Sequence, residues 1–108
     1  MRKCEVYVND IPAGILIENS NGDGYSFTYH NDYVEKGYPQ VCIGMPLRFE
    51  PYQSEVLFPF FFNMLSEGEN RAIQASYLHI DKDDDFGILL QTAQYDTPGN
   101  VTIKEIFD

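Results

Sequence analysis

With 108 residues, 44% of them apolar, the chain has the material for one domain with its own core, and its composition is that of a globular protein rather than a disordered one. Seventeen acids against seven bases give a net charge of −10, and the bases (Arg2, Lys3, Lys36, Arg48, Arg71, Lys82, Lys104) are scattered. That pattern argues against direct nucleic-acid binding and against an anionic membrane, and is compatible with a basic protein partner or with solubility alone. In chain order, "KCEVYVN" is a strand bounded by Asn9-Asp10, and "AGILIE" is a second after a short turn. "NSNGDG" is turn chemistry, and "YSFTYH" alternates aromatic and polar residues as a half-buried strand does. Three strands joined by short turns predict an antiparallel meander. "NDYVEKG" is one helical turn or a capped loop, "QVCIGM" a further strand ended by Pro46, and "PLRFEPYQSE", with two prolines, an irregular crossing.

From Leu57 the spacing turns helical. Phe58, Phe61, Phe62 and Leu65 fall at i, i+3, i+4, i+7 and form the expected core-facing stripe. Leu57, Phe60 and Met64 make a second, overlapping face, with Phe60 and Met64 nearest the surface. Pro59 is tolerated only in a first turn, which sets the helix start near Phe58. Burying one Phe is worth ~1.5–3 kcal/mol, so four together rival the net stability of a whole domain, ~5–15 kcal/mol. Ser66-x-x-Glu69 fits a capping box, so a second helix begins there with Ala72, Ile73, Tyr77 and Ile80 inward. "DKDDDFGILLQT" places acids at the N-terminus of a short helix, about Asp84 to Gln91, and "VTIKEIF" is a last strand after the turn "YDTPGN". The expected fold is α+β: a small antiparallel sheet or partly open barrel packed against two or three short helices, in one domain spanning residues 1–108.

The residues point to no catalysis, cofactor or metal. "NGDG" lacks the spacing and the lysine of a phosphate loop. His30 and His79 have no Cys or His at metal-ligand spacing and read as outward, solvated side chains. Asp81, Asp83 and Asp85 match the first ligands of a calcium loop, but Phe86 stands where its glycine belongs and Thr92 where its glutamate belongs, so helix capping is the better account. Cys4 and Cys42, each in an apolar stretch, read as buried free thiols in a reducing compartment. The start "MRKCEVYVND" has no signal-peptide core and no apolar run approaches the ~20 residues of a membrane helix, so the expected compartment is the cytoplasm.

The ordered set "VYVNDIPAGIL", "YSFTYHNDYV", "GMPLR", "FFFNMLSEGENR", "DDFGILL" and "GNVTI" resembles the N-terminal subdomain of HipA-type serine/threonine kinases, over about Val6 to Ile103. The kinase's nucleotide lysine, catalytic loop and metal aspartate lie beyond that subdomain in the family, and the chain is similar to the small HipS subunit of tripartite HipBST toxin–antitoxin systems. The resemblance implies a non-catalytic antitoxin or regulatory subunit that binds a HipT-like kinase in trans, in a complex with a HipB-like DNA-binding protein; the alternative is an assembly subunit without inhibitory power. It implies partner contact by Leu65, Ser66, Glu67, Gly68, Glu69, Asn70 and Arg71, where relatives usually read "LPEGWNR". The family proline is Ser66 here and the family tryptophan is Glu69, so an aromatic plug is missing. Glu69 is expected to cap its helix or to pair with a cation of the kinase.

Overall fold

Period-two alternation shapes the first part of the chain into β1 (Arg2–Val8), β2 (Ile11–Glu18) and β3 (Tyr25–Tyr29). The computed structural model describes residues 2–19, 24–62, 84–92 and 100–106. Two further strands, β4 (Tyr52–Ser54) and β5 (Val101–Ile106), complete an open five-stranded sheet in the order β4-β3-β2-β1-β5, with every pair antiparallel. Among the described residues three short helices accompany it: α1 (Asn31–Glu35), α2 (Pro59–Phe62) and α3 (Asp85–Thr92).

The first hairpin follows from its turn residues. Asn9 and Asp10 both take positive φ, 53° and 66°, as a two-residue type I′ turn requires, and Asn and Asp are the non-glycine residues that best tolerate it. The turn is tied to the start of β5: the Asn9 N–H donates to the Asn100 carbonyl at 3.0 Å, and Asn100 Nδ2 to Asn9 Oδ1 at 2.8 Å.

Register puts the apolar set on one face. Cys4 stands opposite Leu16, and Leu16 opposite Phe27; Val6 stands between Gly14 and Ile103, and Val8 opposite Val101. All of these are buried. Gly14 is the small member because Phe27 lies across it: an added Cβ would come within 2.9 Å of Phe27 Cζ and of Tyr29 Cα, and closer still to the Thr28 carbonyl. Phe61 of α2 packs on Phe27 at 6.0 Å between ring centroids, and Phe86, Ile88 and Leu89 of α3 are wholly buried. The Asp84 carboxylate caps α3 by accepting the Gly87 N–H at 3.2 Å, as the acidic run predicts.

The structure corrects the sequence-based reading in three places. "QVCIGM" is not a strand: residues 40–45 form an irregular loop. The Tyr29 hydroxyl accepts the Val41 N–H at 2.9 Å and donates to the Met45 carbonyl at 2.5 Å. The polar groups that a ladder would use are thus partly met by one buried side chain, while Val41 and Met45 supply the apolar anchors. Within the two-proline crossing, Tyr52–Ser54 pairs with β3 as an edge strand, where prolines just outside are tolerated. In the aromatic run Phe58 and Phe61 are buried as expected, but Phe62 is exposed and Leu57 is buried. The helix spans only Pro59–Phe62, and Phe62, its last residue, turns to the surface. The Phe62 N–H closes the turn on the Phe58 carbonyl at 2.9 Å.

Candidate functional site

At the β4 end of the sheet, several apolar side chains stay at the surface. Loop 41–45, Tyr52 and Phe58-Pro59-Phe60 enclose an open apolar groove of about 660 Å³. Its walls are fixed from below. Phe61, fully buried, carries Phe58 and Phe60 edge-on at 6.4 and 5.4 Å, and Tyr29 pins both ends of the loop. Tyr29 in turn stacks on Tyr33 of α1 at 5.9 Å, and burial pushes its hydroxyl up to about 12, so it acts as a neutral donor and acceptor. The Tyr52 hydroxyl donates to the Pro46 carbonyl at 2.5 Å. Arg48 lies 3.7 Å over the Tyr52 ring and donates to the carbonyls of Glu50 and Pro51 at 3.1 and 3.0 Å.

What this framework holds outward is apolar. Ile43, at the tip of the loop, is 95% exposed, Val56 67%, Phe49 53% and Phe62 40%. Scattered exposed apolar residues are ordinary, but an apolar groove with exposed apolar neighbours in its bordering segments has the character of an interaction surface. Cys42 lines the same groove as a half-buried free thiol; Cys4 is wholly buried in β1, and burial pushes its thiol up to about 12.

A separate charged cluster joins β1, β2 and α3. Arg2 Nε and Nη2 meet the two oxygens of Glu18, its cross-strand partner, at 2.8 and 2.9 Å. Its Nη1 and Nη2 meet both oxygens of Asp84 at 2.9 and 2.8 Å, and the guanidinium lies 5.4 Å from the centre of the Phe86 ring. Hydrogen bonding to Asp84 holds the Arg2 guanidinium above its ordinary value against the effect of burial. The same bonds hold the Asp84 carboxyl below the ordinary aspartate value. Gly87 leaves room for this: a Cβ there would run into the Asp84 carboxylate. With all its charges paired, the cluster is a clasp between sheet and helix.

The residues expected to contact a partner, Leu65, Ser66, Glu67, Gly68, Glu69, Asn70 and Arg71, lie outside the described residues, as do the predicted helix from Ser66 and His79. His30 is not the solvated side chain the sequence suggests: its Nε2 lies 2.6 Å from Glu5 Oε2, a partner 25 residues away on β1. Among the described residues no group of three or more His, Cys, Asp or Glu side chains is placed to hold a metal ion, and no helix is long and apolar enough to cross a membrane. The groove itself escapes sequence reasoning because its wall is the loop read as a strand.

The model of the HipA N-terminal domain family matches residues 4–104. An uncharacterized protein of Haemophilus influenzae is 30% identical over 105 residues, a match covering 97% of this chain and 93% of that protein. Among solved structures, the N-terminal domain of HipA toxin superposes with a TM-score of 0.76 over 100% of this chain and 95% of that one, at 24% identity, a likeness of fold.

Proposed function

The chain belongs to the HipA N-terminal domain family, and from that premise we propose that it is a non-catalytic binding subunit that docks on a HipT-like serine/threonine kinase in trans and restrains it, in a cytoplasmic complex with a HipB-like DNA-binding protein. The observation that carries this reading is the flank built by loop 41–45, Tyr52 and α2: a braced framework whose outermost side chains are apolar, which is what a protein-docking module presents. Leu65 to Arg71, which follow the aromatic run directly, are the proposed contact with the kinase; Glu67 and Glu69 supply negative charge toward a basic surface.

Co-expression with the kinase tests both halves of the proposal. Binding and restraint predict co-purification together with rescue of growth from kinase toxicity; neither effect would end the reading. Glu69, where relatives carry tryptophan, favours a second reading as an assembly subunit, for which co-purification without rescue is the signature. Charge reversal at Glu67 and Glu69 together is expected to weaken kinase binding by about tenfold or more, the effect of losing ~1.4 kcal/mol, with the melting temperature little changed. An unchanged titration curve would remove this segment from the contact.

A further inference from the structure

We infer that the groove at the β4 end takes an extended, apolar, lysine- or arginine-flanked segment of a partner protein, laid along the free edge of β4 with alternate side chains in the groove. The inference rests on reading this flank as a docking surface, but not on a kinase being the partner.

Three observations converge on that occupant. First, β4 is an edge strand: β3 takes one side of Tyr52–Ser54, and among the described residues no strand takes the other. An unpaired edge is a template for an incoming strand. Second, Tyr52 belongs both to β4 and to the groove wall, and it stands opposite Phe27, so its side chain points to the core side of the sheet. A chain paired with β4 presents every second side chain to that same side, beside Cys42, Ile43, Phe58 and Phe60. Third, the charges at the two ends of β4 are negative. Glu50 precedes it and Glu55 follows it, both exposed, and no cation lies against either carboxylate among the described residues. The neighbouring cation, Arg48, is engaged with two backbone carbonyls and the Tyr52 ring. An apolar segment flanked by lysine or arginine therefore matches the groove in its middle and the carboxylates at its ends. A second copy of this chain matches poorly, because each copy carries a net charge of −10.

The wild-type protein carries its own reporter. Cys42 lines the groove while Cys4 is wholly buried, so iodoacetamide modification followed by intact-mass analysis reads groove occupancy without any substitution. The probe is a synthetic peptide of alternating leucine and threonine with two lysines at each end. Its controls are the same peptide with glutamates in place of the lysines, and a lysine version N-methylated on alternate backbone nitrogens. At a peptide concentration about ten times Kd, occupancy slows Cys42 alkylation about tenfold. The expected result is that slowing with the lysine peptide, its loss in Ile43→Asp, and little effect from either control. No protection by the lysine peptide, or equal protection by the glutamate or N-methylated peptide, would overturn the proposal. So would a dimer of the free protein that Ile43→Asp dissociates, since the occupant would then be a second copy. Kinase co-purification is measured separately: its failure removes the proposed partner and leaves the groove result standing, and the reverse holds equally.

Discussion

The two ends of the molecule handle polar and apolar groups in opposite ways. At the β1–β5 end polar side chains are paired across elements. Arg2 shares its donors between Glu18 and Asp84, the Asn9-Asp10 turn is tied to Asn100, and α3 sinks Phe86, Ile88 and Leu89 into the core. At the β4 end Tyr29, Tyr52 and Arg48 meet backbone groups of the loop and of the crossing, but the β4 edge and the carboxylates of Glu50 and Glu55 are left without partners among the described residues, and Ile43, Phe49, Val56 and Phe62 face outward. The same core supports both ends, so the exposed side is not a poorly folded one. A surface held this firmly, yet left apolar, is what the proposed docking role requires.

The comparison can be broken most forcefully at the point the two ends share. Phe61 is wholly buried, touching Phe27 of the sheet and the groove residues Phe58 and Phe60. Phe61→Ala is expected to destabilise by ~3–5 kcal/mol in chemical denaturation; a midpoint that hardly moves would mean the groove floor is not part of the core. Gly14→Ala comes next, at ~1–3 kcal/mol, because the added methyl meets the Thr28 and Tyr29 backbone and the Phe27 ring with no room to relax. A neutral outcome there would show that Phe27 does not lie across the strand as described.

The charged end predicts a smaller and pH-dependent effect. Arg2 and Asp84 are both partly exposed, so Asp84→Asn should cost within about 1 kcal/mol near neutral pH, and less in high salt. The carboxyl of Asp84 is held below its ordinary value in the folded protein. Its contribution is therefore complete above the unfolded value of about 4 and is lost as pH falls through the lower folded value. Unfolding curves of wild type and Asp84→Asn should begin to converge below about pH 4 and meet only below the lower folded value; a gap that persists in acid would assign the effect to capping geometry rather than charge. The smallest effect belongs to the apolar end. Ile43→Asp, at a fully exposed position, should shift stability by no more than about 0.5 kcal/mol while reducing partner binding. A large loss of stability would place Ile43 in the fold rather than on its surface.

Much of this architecture is legible in the sequence. The meander follows from period-two alternation in β1 to β3 and from turn residues at Asn9-Asp10, and α3 from its acidic N-terminus. Two of the misread pieces share a cause: their structure is set by contacts distant in sequence. "QVCIGM" has the composition of a strand, but Tyr29, twelve residues before Val41, takes its backbone instead. His30 looks unpartnered until β1 brings Glu5 beside it. Phe62 fits the helical spacing, but it ends the four-residue helix with its ring exposed. The groove is a product of these same long-range contacts, which is why no local pattern announces it. The contact proposed from family resemblance, Leu65 to Arg71, is legible as a motif alone and lies outside the described residues.

Size-exclusion chromatography with light scattering, on this protein mixed with a HipT-like kinase as the proposed partner, tests the central claim most directly. Binding in trans predicts one complex whose mass contains both chains, and its separation into two peaks when Ile43→Asp is combined with charge reversal at Glu67 and Glu69. Two folded proteins that elute apart in their wild-type forms would contradict the account.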